Sequence, residues 1–182
     1  MRKVVCQSFV SLDGVITHLD RWHFAYVDEE SNAIALEQLR DSGALLMGRR
    51  TYEVYAAAWP DRHGDYPDLI NRMPKHVVSS TLDDAHWENT TVLSEAPIAA
   101  IRKLKEVDGP QVLMHGFGSL ARQLLSDGIL DELHLWVHPV LAGVGEEGGV
   151  LLQPGLHRTL EFIGSRVLSS GVVILRYRNG VE

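Results

Sequence analysis

The sequence predicts an α/β fold: a mixed, mostly parallel sheet flanked by helices on both faces, with antiparallel C-terminal strands. Three observations carry this. Short apolar runs alternate with helix-period segments over the first two thirds of the chain. Runs such as Ala44-Leu45-Leu46-Met47 are continuous, as expected of strands covered on both faces. From Ile129 onward the chain turns to strand-like stretches with a hairpin signal, which puts antiparallel strands at one edge. No linker, repeat or low-complexity segment breaks the 182 residues, so one domain over 1–182 is expected.

The elements follow in order. Lys3 to Val10 is apolar and β-branched, a buried strand ending at the turn Ser11-Leu12-Asp13-Gly14. Gly14 to Val27 reads as a loop carrying Trp22, Phe24 and Tyr26, rings that need something to cover. Asp28-Glu29-Glu30 opens a helix, since acidic residues suit its positive end, and Gly43 closes it. The Ala44–Met47 strand stops at Gly48. A helix runs from Thr51 to Trp59 and ends at Pro60. Arg62 to Asn71 is polar, with Gly64 and Pro67, and reads as loop with one helical turn at most. Lys75–Ser79 and Thr91–Leu93 are short strands, and Pro97 opens a helix with Ile98, Ile101 and Leu104 on its apolar face. Gln111–Met114 is a strand running into His115-Gly116-Phe117-Gly118, followed by a helix closed by Gly128. Leu133 to His138 alternates as a strand, and Gly143–Gly149 is a glycine-rich loop. Thr159–Leu168 and Val172–Tyr177 pair across Ser170-Gly171.

Composition narrows the function classes. The net charge of -7 and the absence of a basic stripe argue against nucleic acid and against anionic membranes. A lone Cys6 excludes an intrachain disulfide and fits a reducing compartment. No run is long enough to span a bilayer and no signal peptide is evident, so a cytoplasmic protein is expected.

Three strand ends hold residues suited to an anion. Gly48-Arg49-Arg50-Thr51 joins a tight turn to a helix start, two guanidinium groups and a hydroxyl. Ser79-Ser80 supplies hydroxyls at the next strand end. Gly116-Phe117-Gly118-Ser119-Leu120 lets a pyrophosphate approach a helix N-terminus. Singly, each also reads as ordinary turn or capping chemistry. Together they suit a dinucleotide with an additional phosphate. The Rossmann G-x-G-x-x-G fingerprint is absent. His134 and His138 share a strand face with Trp136, but spacing places no third ligand, so no metal is expected. A partly exposed face, suited to a second subunit, is.

The chain resembles the reductase-domain family shared by dihydrofolate reductase and the C-terminal domain of the bacterial riboflavin-pathway deaminase-reductase. The resemblance is carried by Ser11-Leu12-Asp13-Gly14-Val15-Ile16, by Leu46-Met47-Gly48-Arg49-Arg50-Thr51-Tyr52-Glu53, by Ser79-Ser80, by Gly116-Phe117-Gly118-Ser119-Leu120, and by the stretch from Asp131 to Gly143. It implies an NADPH-dependent reductase passing hydride to a small pterin- or aminopyrimidine-like heterocycle, and a homodimer. On that resemblance Gly48, Arg49, Arg50 and Thr51 hold the adenosine-side phosphates, and Ser79 and Ser80 lie at the 2′-phosphate. Gly116, Phe117, Gly118, Ser119 and Leu120 wrap the pyrophosphate, and Asp13 to Ile16 flank the nicotinamide and substrate. Asp13 is then a catalytic candidate as orienter or proton source, although an Asp-Gly pair is also a plain turn. A first-helix acid, Asp28 or Glu29, is another, although both also read as helix-start residues. Trp22, Phe24 and Tyr26 are positioned to stack on a flat substrate or to pack on the core. Two departures bear on the substrate: His115 stands where riboflavin-pathway reductases usually carry Glu, and Phe117 displaces the second glycine. An alternative is a nucleotide-binding or sensor domain of the same fold that turns nothing over.

Overall fold

Apolar β-branched runs become strands and the intervening periodic segments become helices in the computed structural model, which describes residues 1–144, 149–151 and 154–180. The backbone resolves into two compact units, Met1–Val4 with Ala35–His115, and Val5–Ile34 with Gly116–Glu182.

The first unit contains β2 (Ser42–Gly48), β3 (Lys75–Val78), β4 (Thr90–Leu93) and β5 (Gln111–His115), in the order β4-β3-β2-β5. All three pairings are parallel. Two of the three crossovers carry helix, α3 (Arg49–Ala58) and α4 (Asp65–Arg72) between β2 and β3, and α5 (Pro97–Glu106) between β4 and β5, while residues 79–89 join β3 to β4 without one. Leu39, Leu45, Met47, Tyr52, Ile70, Met73, Val77, Trp87 and Leu113 form its buried core. Parallel pairing sets Gly48 opposite Val78 and Leu46 opposite Met114, so these strands all end at one edge.

α4 exceeds the single turn expected over Arg62–Asn71. Pro67 is its third residue, where no intrahelical N–H is needed, and Asp65 and Asp68 suit the first turn. Ile70 is fully buried, with Tyr66 and Leu69 packed on the same core. This apolar face outweighs the polar composition.

Lys75 is fully buried at the start of β3. Its Nζ donates to the carbonyls of Asn71 (2.5 Å), Met73 (2.8 Å) and Glu88 (3.0 Å) and lies 4.2 Å from the Trp87 ring centroid. The ammonium thus caps the end of α4 and ties it to the segment before β4. Burial lowers its pKa to about 8, which leaves it mostly charged at neutrality.

The second unit contains β1 (Val4–Ser11), β6 (Glu132–His138), β7 (Leu160–Val167) and β8 (Val173–Asn179), in the order β1-β6-β8-β7. β1 and β6 are parallel, whereas β6–β8 and β8–β7 are antiparallel. α6 (Ser119–Ser126) buries Ala121, Leu124 and Leu125. The hairpin at Ser170-Gly171 closes with Leu168 N–H on the Val172 carbonyl at 2.8 Å, and Gly171 takes the positive φ, 85°, that the turn needs. The mixed, mostly parallel α/β class with antiparallel C-terminal strands is the one the sequence predicts. Residues 145–148 of the glycine-rich loop lie outside the described residues. Among the described residues no helix is long and apolar enough to cross a membrane.

Two expectations are corrected here. The Gly14–Val27 loop contains a short helix α1 (Leu19–Trp22) and a 3-10 turn (Phe24–Tyr26). Trp22 organises them: its ring is buried and its indole N–H donates to the Thr17 carbonyl at 2.9 Å. The strand face holding Trp136 and His138 is not left partly exposed. Both residues are buried, and Phe9, Tyr26 and Ile34 pack with Trp136.

Candidate functional site

In the first unit the sequence-predicted corners at Gly48–Thr51 and Ser79–Ser80 meet. Arg49 Nη1 donates to Thr81 Oγ1 at 2.5 Å, bridging the start of α3 to the turn after β3, and its Nε donates to Glu53 Oε1 at 2.6 Å. Ser79 is buried, and its Oγ accepts the amides of Thr81 (3.2 Å) and Leu82 (3.0 Å), which shapes the turn and leaves the hydroxyl proton to donate elsewhere. Ser80 and Arg50 are exposed, and no partner is found for Arg50 among the described residues. Thr51 is half-buried one residue further on.

Gly48 precedes α3 with φ -80° and ψ 166°, a conformation open to any residue, and no side chain caps the helix. A Cβ built on Gly48 would meet nothing within 4 Å. Neither backbone nor neighbours therefore require glycine here. Gly118 repeats the arrangement before α6 in the second unit: φ -78°, no side-chain cap, and open space where a Cβ would stand. Between β5 and α6, Gly116 takes φ 83°, favourable only to glycine. Phe117 is buried, its carbonyl accepting from Arg122 Nη1 at 3.1 Å, while Ser119 is exposed and Leu120 half-buried. At each of the two helix starts, taken unit by unit, the first-turn amides have no side-chain cap and a Cβ on the preceding glycine would meet nothing. Either start by itself suits a phosphate, the first with Arg49 and Arg50 in its opening turn.

The second unit holds the other predicted residues. Asp13 is exposed, yet its carboxylate takes three hydrogen bonds: from Ser11 Oγ (2.5 Å), Ala142 N (3.0 Å) and Gly143 N (2.8 Å). These donors, Ser11 foremost, lower its pKa to about 2. Such a carboxylate carries no proton near neutrality. It fastens the turn after β1 to the turn after β6. Asp28 is committed as well. Its Oδ1 accepts Ser31 N at 2.8 Å while Ser31 Oγ accepts Asp28 N at 2.9 Å, a reciprocal capping box at the start of α2 (Glu29–Arg40). The Ser31 bonds hold its pKa below the usual carboxylate range. Glu29 is exposed in the first turn. Of the three aromatic residues, Trp22 is buried, Tyr26 is half-buried with its hydroxyl on the Pro139 carbonyl at 3.4 Å, and Phe24 is 66% exposed. Phe24 is the one exposed residue of these three.

Sequence reasoning missed a histidine pair. His23 Nδ1 lies 2.9 Å from His138 Nε2, and His138 Nδ1 lies 2.8 Å from the Trp136 carbonyl. A carbonyl only accepts, so His138 carries its proton on Nδ1 and accepts at Nε2. His23 must then donate from Nδ1, which leaves its Nε2 as a bare acceptor. The rings sit among Phe9, stacked on His23 at 3.9 Å, Trp22 and Tyr26. Burial lowers both pKa values, that of His23 to about 4 with a further contribution from His138. The even spacing of His134 and His138 drew attention to the wrong partner. His134 instead meets Glu132 at 3.1 Å, and nothing in the sequence signals that residue 23 folds back over β6.

His115 ends β5 with its Nδ1 2.9 Å from Tyr55 Oη on α3. Burial lowers its pKa to about 4, so the ring is neutral at physiological pH.

A family model described as the RibD C-terminal domain matches residues 2–174. The uncharacterized protein YyaP of Bacillus subtilis (strain 168) is 25% identical over 186 residues, covering 97% of this chain and 94% of its own. Among solved structures, a pyrimidine reductase-like protein from Corynebacterium diphtheriae superposes with TM-score 0.68 at 16% identity, covering 100% of this chain and 93% of its own. A diaminohydroxyphosphoribosylaminopyrimidine deaminase/5-amino-6-(5-phosphoribosylamino)uracil reductase from Thermotoga maritima gives TM-score 0.67 at 16% identity, covering 98% of this chain and 57% of that one.

Proposed function

Because this chain belongs to the RibD C-terminal domain family, we propose that it is an NADPH-dependent reductase acting on a small pterin- or aminopyrimidine-like heterocycle. The observation that carries the proposal is the helix start opened by Gly48, within the first unit. No internal contact and no backbone conformation calls for glycine there, and a closely approaching ligand would.

Gly48, Arg49, Arg50 and Thr51 would hold adenosine-side phosphate, with Ser79, Ser80 and Thr81 beside them. Gly116 to Leu120 would hold pyrophosphate through backbone amides. Bound NADPH supplies a hydride, and the chain's own task is to orient a flat acceptor and exclude water. Phe24 offers an exposed ring for stacking, and His23 Nε2 offers an acceptor for a ring N–H. His115 in place of a carboxylate disfavours a substrate that needs an anionic acceptor there. A homodimer belongs to the same proposal, and sedimentation velocity checks it.

Fluorescence titration tests the nucleotide site. Replacing Arg49 and Arg50 together by Ala should weaken NADPH by about tenfold or more, the loss expected of one or two charge-assisted contacts, and NADH far less. Equal losses for the two nucleotides would overturn the assignment. NADPH oxidation with dihydrofolate, quinonoid pterins and aminopyrimidines tests turnover. One observation favours a second reading, a nucleotide-binding sensor: both carboxylates expected to handle a proton, Asp13 and Asp28, are tied into turns. Tight NADPH binding with no turnover of any of these compounds decides for it.

A further inference from the structure

We propose that Glu53 is a specificity-determining residue. Drawn against Arg49, its carboxylate offsets the positive charge that would meet the additional phosphate of NADPH, and so narrows the preference for NADPH over NADH. This rests on the reading of the α3 start as the seat of that phosphate.

Glu53 follows Arg49 by one helical turn, and the two side chains are 48% and 47% exposed. Oε1 lies 2.6 Å from Nε, and Nη1 is held by Thr81 Oγ1 at 2.5 Å. The guanidinium is therefore fixed at two points before any nucleotide arrives, and its Nη2 edge is the one no described residue engages. Glu53 does two separable things here. As an acceptor it orients Arg49. As a charge it opposes an anion arriving at the same guanidinium. A phosphate monoester carries about -1.5 to -2 at neutral pH. At an exposed site the repulsion from one carboxylate a few ångströms away corresponds to about three- to tenfold in affinity at low ionic strength, and salt suppresses it. NADH, which lacks that phosphate, does not meet this repulsion.

Glu53→Gln separates the two roles, because the amide oxygen can still accept from Nε while the charge is gone. NADPH, NADH, 2′,5′-ADP and 5′-AMP are titrated against wild type, Glu53→Gln and Arg49→Ala, with thermal melts confirming that each variant is folded. In Glu53→Gln the dissociation constants of NADPH and 2′,5′-ADP should fall about three- to tenfold, with those of NADH and 5′-AMP within about twofold of wild type. The difference should fade in about 0.5 M KCl, where exposed charges are screened. An unchanged or reduced NADPH-to-NADH preference in Glu53→Gln, with binding that still depends on Arg49, would overturn the role of Glu53 alone. NADPH binding that Arg49→Ala leaves untouched would overturn the site reading and this inference with it.

Discussion

An alanine at position 48 would place its Cβ in open space beside the start of α3, in a backbone conformation it adopts freely. Exchanging Gly for Ala at a helix N-cap costs the fold about 1 kcal/mol at most. The same methyl would stand where a phosphate is proposed to approach, so Gly48→Ala should keep its melting transition within a few degrees while NADPH binding weakens more than about tenfold. Calorimetry and fluorescence titration check the two halves separately, and unchanged binding would count against the site. At Asp13 the expected change is mechanical. Asp13→Asn loses the charge that draws in the amides of Ala142 and Gly143, so those amides should exchange with deuterium faster while turnover, where present, persists. The residues of the corners proposed to hold phosphate could be singled out because glycine, arginine and serine carry their chemistry in local order. The roles of Asp13 and Asp28 were only half legible. A turn-forming aspartate and a proton donor look alike until the partners of the carboxylate are known.

Helix α4 and the lysine beneath it show where local pattern ran out. The Arg62–Asn71 stretch is polar with Gly and Pro, yet Ile70 meets a buried surface assembled from β2, β3 and the distant Trp87. Lys75 reads as the polar start of a strand, and only the fold gathers three carbonyls around its ammonium. Lys75→Met keeps the length of the side chain but strands those carbonyls. Each loses a charged donor, a contact worth about 1.5–3 kcal/mol, partly offset by the apolar fit, so a net loss of about 2–4 kcal/mol is expected. That corresponds to a melting temperature lower by roughly 5–15 °C for a chain of this size, measurable by calorimetry. Lys75→Arg is not a conservative control, since the larger planar group has no room in a fully buried position.

For the molecule as a whole, the switch to antiparallel pairing followed from the change of pattern near Ile129, because hydrophobic period is a property of the chain itself. Contacts between remote segments did not follow, and the histidines are the clearest instance. His23 and His115 have pKa values near 4, and those of His76 and His138 are also lowered, burial being the leading cause in each. The unfolded chain binds protons at these rings near pH 6.5, before the folded one does. Between about pH 6.5 and 4 the unfolded state therefore takes up more protons, and stability falls as the pH falls. Melting temperatures should decline steadily over that window and level off above it, and a profile flat from pH 7 to 5 would contradict the neutral assignment. The two facing imidazoles give this decline an internal sequence. A single added proton can be shared across the 2.9 Å gap, leaving the bond intact but lodging a cation among three aromatic rings. A second leaves two N–H groups pointing at one another. Acid near pH 4 and below should thus act on residues 19–26 as on a catch with two clicks, first strained and then sprung.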